Sequence, residues 1–337
     1  MIVLAGDIGG TKTNLGIFNV ENNQVQSLIE ATWNSVDFHS LESIIEKFLL
    51  HIKEHSHEHT EDLDFKNACF GVAGPVTKNY CQLTNLSWDI DGEKIKQQFN
   101  WDSVSLLNDL EANAWGIAAL QQDDFITLNQ GDEQAQGNIS IIAAGTGLGE
   151  AGLFWDGQQH QPFASEGGHT DFSAQTDKEY RLHQYLTKKY QGHVSWERIV
   201  SGMGLENIYQ FLCIEVDTVP PAWLAKQMQE GDSAAAISQA AMESKDKVCE
   251  QALNWLVYFY GVEASNHALK IMSLGGVFLG GGIAPKIIKQ LQSGRFMQAF
   301  LAKGRREPLL KKMPVKVIMN DKTALYGPAI YAASLHN

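Results

Sequence analysis

Cysteine is scarce in this chain, and the four present (Cys69, Cys81, Cys213 and Cys249) stand far apart with no CxxC pair. That spacing fits a reducing compartment and offers neither a disulfide framework nor a cysteine zinc site. Basic residues are outnumbered, 26 Lys and Arg against 39 Asp and Glu, for a net charge of -13. Nucleic acid or an anionic membrane would be repelled over most of such a surface. An anionic small molecule would need a local positive site. Also missing are a basic segment ahead of the first apolar run and an uninterrupted apolar stretch long enough to span a bilayer, so no targeting signal or membrane anchor is expected. No low-complexity linker is visible, and neither GxGxxG nor GxxxxGK[ST] occurs at the first glycine cluster.

What is present is ordinary globular material, 337 residues with 44% hydrophobic content, a length that suits two domains better than one. MIVLAGDIGGTKTNLGIFNV runs from an apolar strand through Gly9-Gly10-Thr11 into a second strand over 14–20, which predicts a hairpin. NISIIAAGTGLGEAGLFWDG repeats the design around Gly145-Thr146. The repeat predicts an internal duplication, two related α/β lobes that each open with a glycine-turn hairpin. Further strands are expected over 63–72, 103–107, 273–279 and 315–319, and helices over 111–120, 182–189, 247–271 and 324–333. The helix over 247–271 is apolar on most faces and should be buried. The terminal helix could return to the first lobe. The histidine-rich stretch over 51–62 alternates with Glu and Lys on no apolar frame, the pattern of a solvated helix end and loop rather than a metal site.

A Gly-Gly-Thr hairpin tip presents unobstructed backbone N–H groups, a hydroxyl and, at Lys12, a positive charge, all suited to phosphate oxygens. Asp7, at the end of the first strand, could hold hydrated Mg2+. For one such cluster alone, a tight turn needing only positive φ is the favoured explanation. Three clusters, at 9–11, 145–149 and 275–282, can line one nucleotide cleft, against phosphates twice and an adenosine once. Asn108-Asp109 closes a strand and opens a helix, so Asp109 reads first as an N-cap, a position compatible with acting as base toward an alcohol. Ser165-Glu166-Gly167-Gly168-His169 and Trp196-Glu197-Arg198 add acceptors and donors of the kind that bind sugars, although each alone is more readily a surface or structural group.

Taken in order, GDIGGTKTNLGIF, GVAGPV with TNLSW following, LLNDLEANAWG, AAGTGLGEAGL, SEGGHTDF, GHVSWERIVSGMGLENIY and GGVFLGGGIAPK resemble the bacterial-type glucokinase family of the hexokinase/actin-like ATPase superfamily, from about residue 2 to about residue 331. The resemblance implies an α/β chain with the two-lobed actin-like ATPase (ribonuclease H-like) fold, duplicated α/β domains lying around a cleft. It implies domains over 1–119 with 320–337 and over 120–319. The implied activity is transfer of the ATP γ-phosphate to the 6-hydroxyl of glucose, with Mg2+ but no zinc, in a cytoplasmic homodimer of the glycolytic route. Gly6, Asp7, Ile8, Gly9, Gly10 and Thr11 match its first phosphate loop, Gly145 and Thr146 its second, and Gly281 completes the ATP set. Asn108, Asp109, Glu166, His169 and Glu197 match its glucose-contacting set, with Asp109 as base and Asn85 a weaker addition. Asp7 would hold the Mg2+ through water. Lys12 and the histidines after His51 match no role.

Rival sugar kinases of the ROK type, acting on other hexoses or N-acetylmannosamine, carry a cysteine-rich zinc motif soon after the Glu-Gly-His segment, whereas here the next cysteine after His169 is Cys213. A sugar-sensing transcription regulator would need a helix-turn-helix ahead of the first glycine turn, and only six residues precede Asp7. A sugar-binding relic would be expected to have lost Asp109. EDTA is therefore expected to stop turnover and Mg2+ alone to restore it. Stoichiometric, tightly held zinc whose removal unfolds the purified protein would contradict the expectation.

Overall fold

The computed structural model describes residues 1–55, 63–83 and 86–335, His55 without its side chain. It divides into two units, one of residues 1–122 with 320–337 and one of residues 123–319.

In the first unit, β1 (Ile2–Ile8) and β2 (Lys12–Glu21) form the expected hairpin, with Ile8 opposite Thr13 across its tip. Asn22 and Asn23, both at positive φ (50° and 62°), turn β2 into β3 (Gln24–Asn34). Two successive left-handed residues match the twist of a tight hairpin, and Asn tolerates them better than other side chains do. β4 (Asn67–Val72) lies parallel to β1; the short strands β5 (Tyr80–Gln82) and β6 (Asp89–Asp91) pair apart; and β7 (Ser103–Asn108) closes the order β3-β2-β1-β4-β7. Alternate residues of β1 face opposite ways. Leu4 and Ile8 pack toward the helix Leu41–His55, whose Leu41, Ile44, Ile45, Phe48 and Ile52 recur at helical spacing. Val3 and Ala5 pack on the other face, toward Leu325, Ala329 and Ile330 of the helix Thr323–Ser334.

The second unit repeats this plan. β8 (Phe125–Asn129), β9 (Ile139–Ala144), β10 (Leu148–Trp155), β11 (His160–Ser165), β12 (Gly276–Gly280) and β13 (Val315–Ile318) lie in the order β11-β10-β9-β12-β13-β8. An antiparallel meander of three strands followed by two parallel ones is common to both sheets, and β8 is an added antiparallel edge. The duplication read from the two glycine hairpins is thus a duplication of topology. The helix Lys247–Ile271 is buried as expected, with Leu253, Leu256, Val257 and Tyr260 in the core.

Several boundaries differ from those expected. The strand expected from 63 starts at Asn67, where pairing with Ser103 begins. The strand expected over 273–279 is shifted to Gly276–Gly280, because Ser273 to Gly276 closes a turn with Gly276 at φ 128°. The helix expected over 111–120 begins at Asp109, stops at Gly116 and tightens into a 3-10 turn, Ile117–Ala119.

The helix Asp109–Gly116 and the helix Thr323–Ser334 meet backbone to backbone. A Cβ on Gly327 would overlap the Ala112 carbonyl oxygen, and one on Gly116 the Thr323 carbonyl. Gly327→Ala is accordingly expected to destabilise the protein by about 1–3 kcal/mol through overpacking, seen as a lower urea midpoint at unchanged slope. An unaltered midpoint would contradict so close a packing.

Candidate active site

The first glycine turn is braced from below. Gly9 N donates to Lys12 O (2.9 Å), while Ser35 ties the tip down by donating from N to Thr11 O (2.9 Å) and from Oγ to Gly9 O (2.7 Å). Thr13 Oγ1 lies 3.0 Å from the same Ser35 hydroxyl, in a buried pair. Gly10 and Thr11 form the open tip. Gly6 lies inside β1 against Phe70 and Leu15, and the Ile8 side chain is in the core, so what these two can offer a ligand is backbone. Asp7 lines a polar cavity of about 210 Å3 together with Asn14, Glu30, Thr32, Asp321 and Lys322. Burial raises its carboxyl from the ordinary value, and a hydrogen bond from Asn14 Nδ2 (3.2 Å) works against that rise. A carboxylate oxygen beside a polar cavity is the hard donor a hydrated Mg2+ takes, and a cation there would offset the desolvation.

At the end of β7 the assignment of the cap changes. Asn108, with extended φ/ψ, is the N-cap and accepts from Leu110 N (3.0 Å); Asp109 is the first helical residue, although its Oδ1 also accepts from Leu110 N (2.9 Å). Asn108 Nδ2 donates to Gly74 O (3.1 Å), fixing the turn after β4 beside it. Asp109 is therefore not needed to start its helix. Asn85 lies outside the described residues, as does most of the histidine-rich stretch. Of that stretch, His51 packs edge-on to Trp33.

In the second unit the sequence motifs converge. Gly145 N donates to Gly147 O (2.9 Å), closing the turn from β9 to β10, and Gly202 N donates to Gly145 O (2.9 Å). Glu197, on the 3-10 turn Trp196–Arg198, accepts from Leu148 N through Oε2 (3.1 Å) and sits where a Cβ on Gly147 would be. Gly281, at φ 77°, approaches the Ala144 backbone too closely for any Cβ, and Ile283 N donates to Ala144 O (3.1 Å). Gly145, Thr146 and Gly281 are thus gathered at one end of β9. Beyond β11, Glu166 and His169 bound a 3-10 turn, their side chains 77% and 60% exposed and 3.9 Å apart. Thr170 and Phe172 then pair with Trp196 and Val194 (3.0 and 2.9 Å), laying the Glu166 and Glu197 segments side by side.

Sequence reasoning missed Ser35 and Asn14, whose roles depend on partners 26 and 7 residues away. It also missed Glu150, Glu263 and His267, which are buried behind the Glu166–His169 turn. A glutamate inside the apolar strand GLGEAGLF was the one visible signal.

The family model for glucokinase matches residues 4–335. A glucokinase of Nostoc sp. is 40% identical, with 99% of each chain covered. Among solved structures, a glucokinase from an Antarctic psychrotroph matches with a TM-score of 0.86 at 29% identity, covering 99% of both chains. A ROK family glucokinase from Streptomyces griseus, solved with glucose and AMPPNP, matches in fold with a TM-score of 0.64 at 19% identity, over 99% of this chain and 100% of that one.

Gly147→Ala is expected to push the Glu197 carboxylate off Leu148 N, leaving an amide without its partner at a cost of about 1–3 kcal/mol. Faster hydrogen exchange at Leu148 and a lower melting temperature would register it. Unchanged exchange would mean that the turn tolerates a Cβ.

Proposed function

The chain belongs to the glucokinase family and is an ATP-dependent glucokinase, and we propose that Asp109 is the base that takes the proton from the 6-hydroxyl of glucose as the γ-phosphate is transferred. The fold is that of the actin-like ATPase sugar kinases. The observation that carries the assignment of Asp109 is that Asn108 caps the helix, so the neighbouring carboxylate is not required for capping. A phosphoryl acceptor has little nucleophilic help to gain beyond orientation and late proton removal, and one carboxylate against the hydroxyl supplies both.

The remaining roles follow from the chemistry of each group. Amides at Gly10 and Thr11 and at Thr146 donate to phosphate oxygens, those of Gly9 and Gly145 closing the two turns instead, and Gly281 leaves room for a nucleotide against bare backbone. Asp7 would hold a hydrated Mg2+, which would supply positive charge against the phosphate oxygens. Asn108, Glu166, His169 and Glu197 pair with sugar hydroxyls, each replacing a hydrogen bond lost from water. A site built this way disfavours hexoses that leave one of those groups unpaired. The family resemblance supports a homodimer in the cytoplasm, and among the described residues no helix is long and apolar enough to cross a membrane.

Asp109→Asn removes the charge and keeps the size. With Asn108 still capping, the variant is expected to melt like the parent while kcat falls about 10²- to 10⁴-fold and KM for glucose changes much less. A variant that kept more than about a tenth of parental turnover, a smaller loss than a general base gives, would reduce Asp109 to a helical residue.

A further inference from the structure

Behind the Glu166–His169 turn lies a cluster that the proposed chemistry does not use. Glu150 on β10 and Glu263 on the helix Lys247–Ile271 are 1% and 0% exposed, and His267, one helical turn further on, is 3% exposed. None of the described residues donates a hydrogen bond to either Glu150 oxygen or to Glu263 Oε1. His267 Nε2 is 2.9 Å from the Ala151 carbonyl, which can only accept, so the ring proton sits on Nε2. The other nitrogen, Nδ1, faces Glu150 Oε2 at 3.3 Å, and because burial disfavours the charged ring it is a lone pair there.

Two carboxylates and a lone pair cannot face one another in a dry interior without a proton among them. Burial, with Glu263 next, pushes the Glu150 carboxyl up to about 8; burial also raises Glu263, and burial lowers His267, so the proton belongs to the carboxyl pair. The charged groups facing the pair are few. Lys270, on the same helix, has its Nζ 3.8 Å from Glu263 Oε1. Lys303, after the helix Arg295–Leu301, donates to Asn266 Oδ1 (2.6 Å), and Asn266 Nδ2 donates to Glu263 Oε2 (2.8 Å). From β11 and the turn come Ser165, paired in register with Glu150, and Gly167, where an added Cβ would overlap the Glu150 carboxyl. The Glu150 head group is thus the floor on which the turn bearing Glu166 and His169 rests.

We propose that Glu150, Glu263 and His267 are positioning residues for the sugar, holding one shared proton that keeps the Glu166–His169 turn in place. The proposal rests on the reading that Glu166 and His169 contact glucose. Loss of the proton leaves two buried charges side by side, and the nearest part free to yield is the exposed turn. Only the protonated form then carries a sugar-competent turn.

The test is steady-state kinetics from pH 6.5 to 9 on the parent, Glu150→Gln, Glu263→Gln and His169→Ala. One unit above a value of about 8, roughly one molecule in ten keeps the proton, so KM for glucose should rise about tenfold between pH 7 and 9 in the parent, with KM for ATP unmoved. Each glutamine variant keeps one carboxyl of the pair, and its amide donates a hydrogen bond to the ionised form of that group at every pH, so Glu150→Gln and Glu263→Gln should hold KM for glucose within about twofold over the range. Parallel KM curves for the parent and both glutamine variants would overturn the proposal even if His169→Ala raised KM. A His169→Ala variant with parental KM at all pH values would instead sink the sugar assignment beneath it.

The parent alone supplies a check that needs no variant. The unfolded carboxyl ionises near 4.5 and the folded one not until about 8, so between those values the folded state binds the extra proton. Stability should fall as pH rises through that interval and level off above it. A flat stability profile from pH 5 to 8 would also overturn the shared proton.

Discussion

The second unit depends on the burial of one helix, Lys247–Ile271. Its apolar residues fill the core beneath β9 and β12, and its polar residues reach the strands just short of where they turn. The Tyr260 hydroxyl lies 3.0 Å from Ile142 O and 3.4 Å from Gly280 O, bridging the two strands that lead into Gly145 and Gly281. His267 reaches the Ala151 carbonyl of the next strand. At Gly261 the same helix presses on the Phe296 backbone, where no side chain would fit. A turn that must offer bare amides cannot be stabilised by side chains of its own, so its geometry has to be imposed from behind. This helix imposes it.

Carboxylates show three solutions to one electrostatic problem. Asp7 keeps access to a polar cavity and accepts from one amide side chain. Glu197 accepts a backbone N–H and thereby joins its own 3-10 turn to the turn between β9 and β10. Glu150 has neither solvent nor, among the described residues, a hydrogen-bond donor, and is tolerable only with a proton. The first suits a cation, the second fixes a loop, and the third makes packing depend on protonation.

Much of the fold could be read from local pattern. Both hairpins announced themselves by apolar runs around glycine-threonine turns, and the long buried helix was recovered over its full span because twenty-five residues of helical pattern leave little ambiguity. The same signals marked Gly145, whereas Glu166 and Glu197 were singled out by the family resemblance, and their mutual contacts by neither. What escaped were features set by distant partners. Whether Asn108 or Asp109 caps the helix is a matter of one position, decided by φ and ψ rather than by composition. Glu150 meets Glu263 and His267 only because a helix more than a hundred residues later crosses its strand, and no periodicity encodes that meeting. The start of β4 at Asn67 is likewise fixed by where its neighbours begin.

The return of the helix Thr323–Ser334 to the first sheet has a consequence for biosynthesis. Val3, Ala5, Cys69 and Leu107 wait for Leu325, Ala329 and Ile330, which leave the ribosome only after the whole intervening unit of residues 123–319. At about 5–20 residues per second, that delay is on the order of ten to forty seconds. Throughout it the nascent amino-terminal unit lacks the last helix over one apolar sheet face, and because β13 of the second unit also ends only at Ile318, both cores are completed together as the final residues emerge.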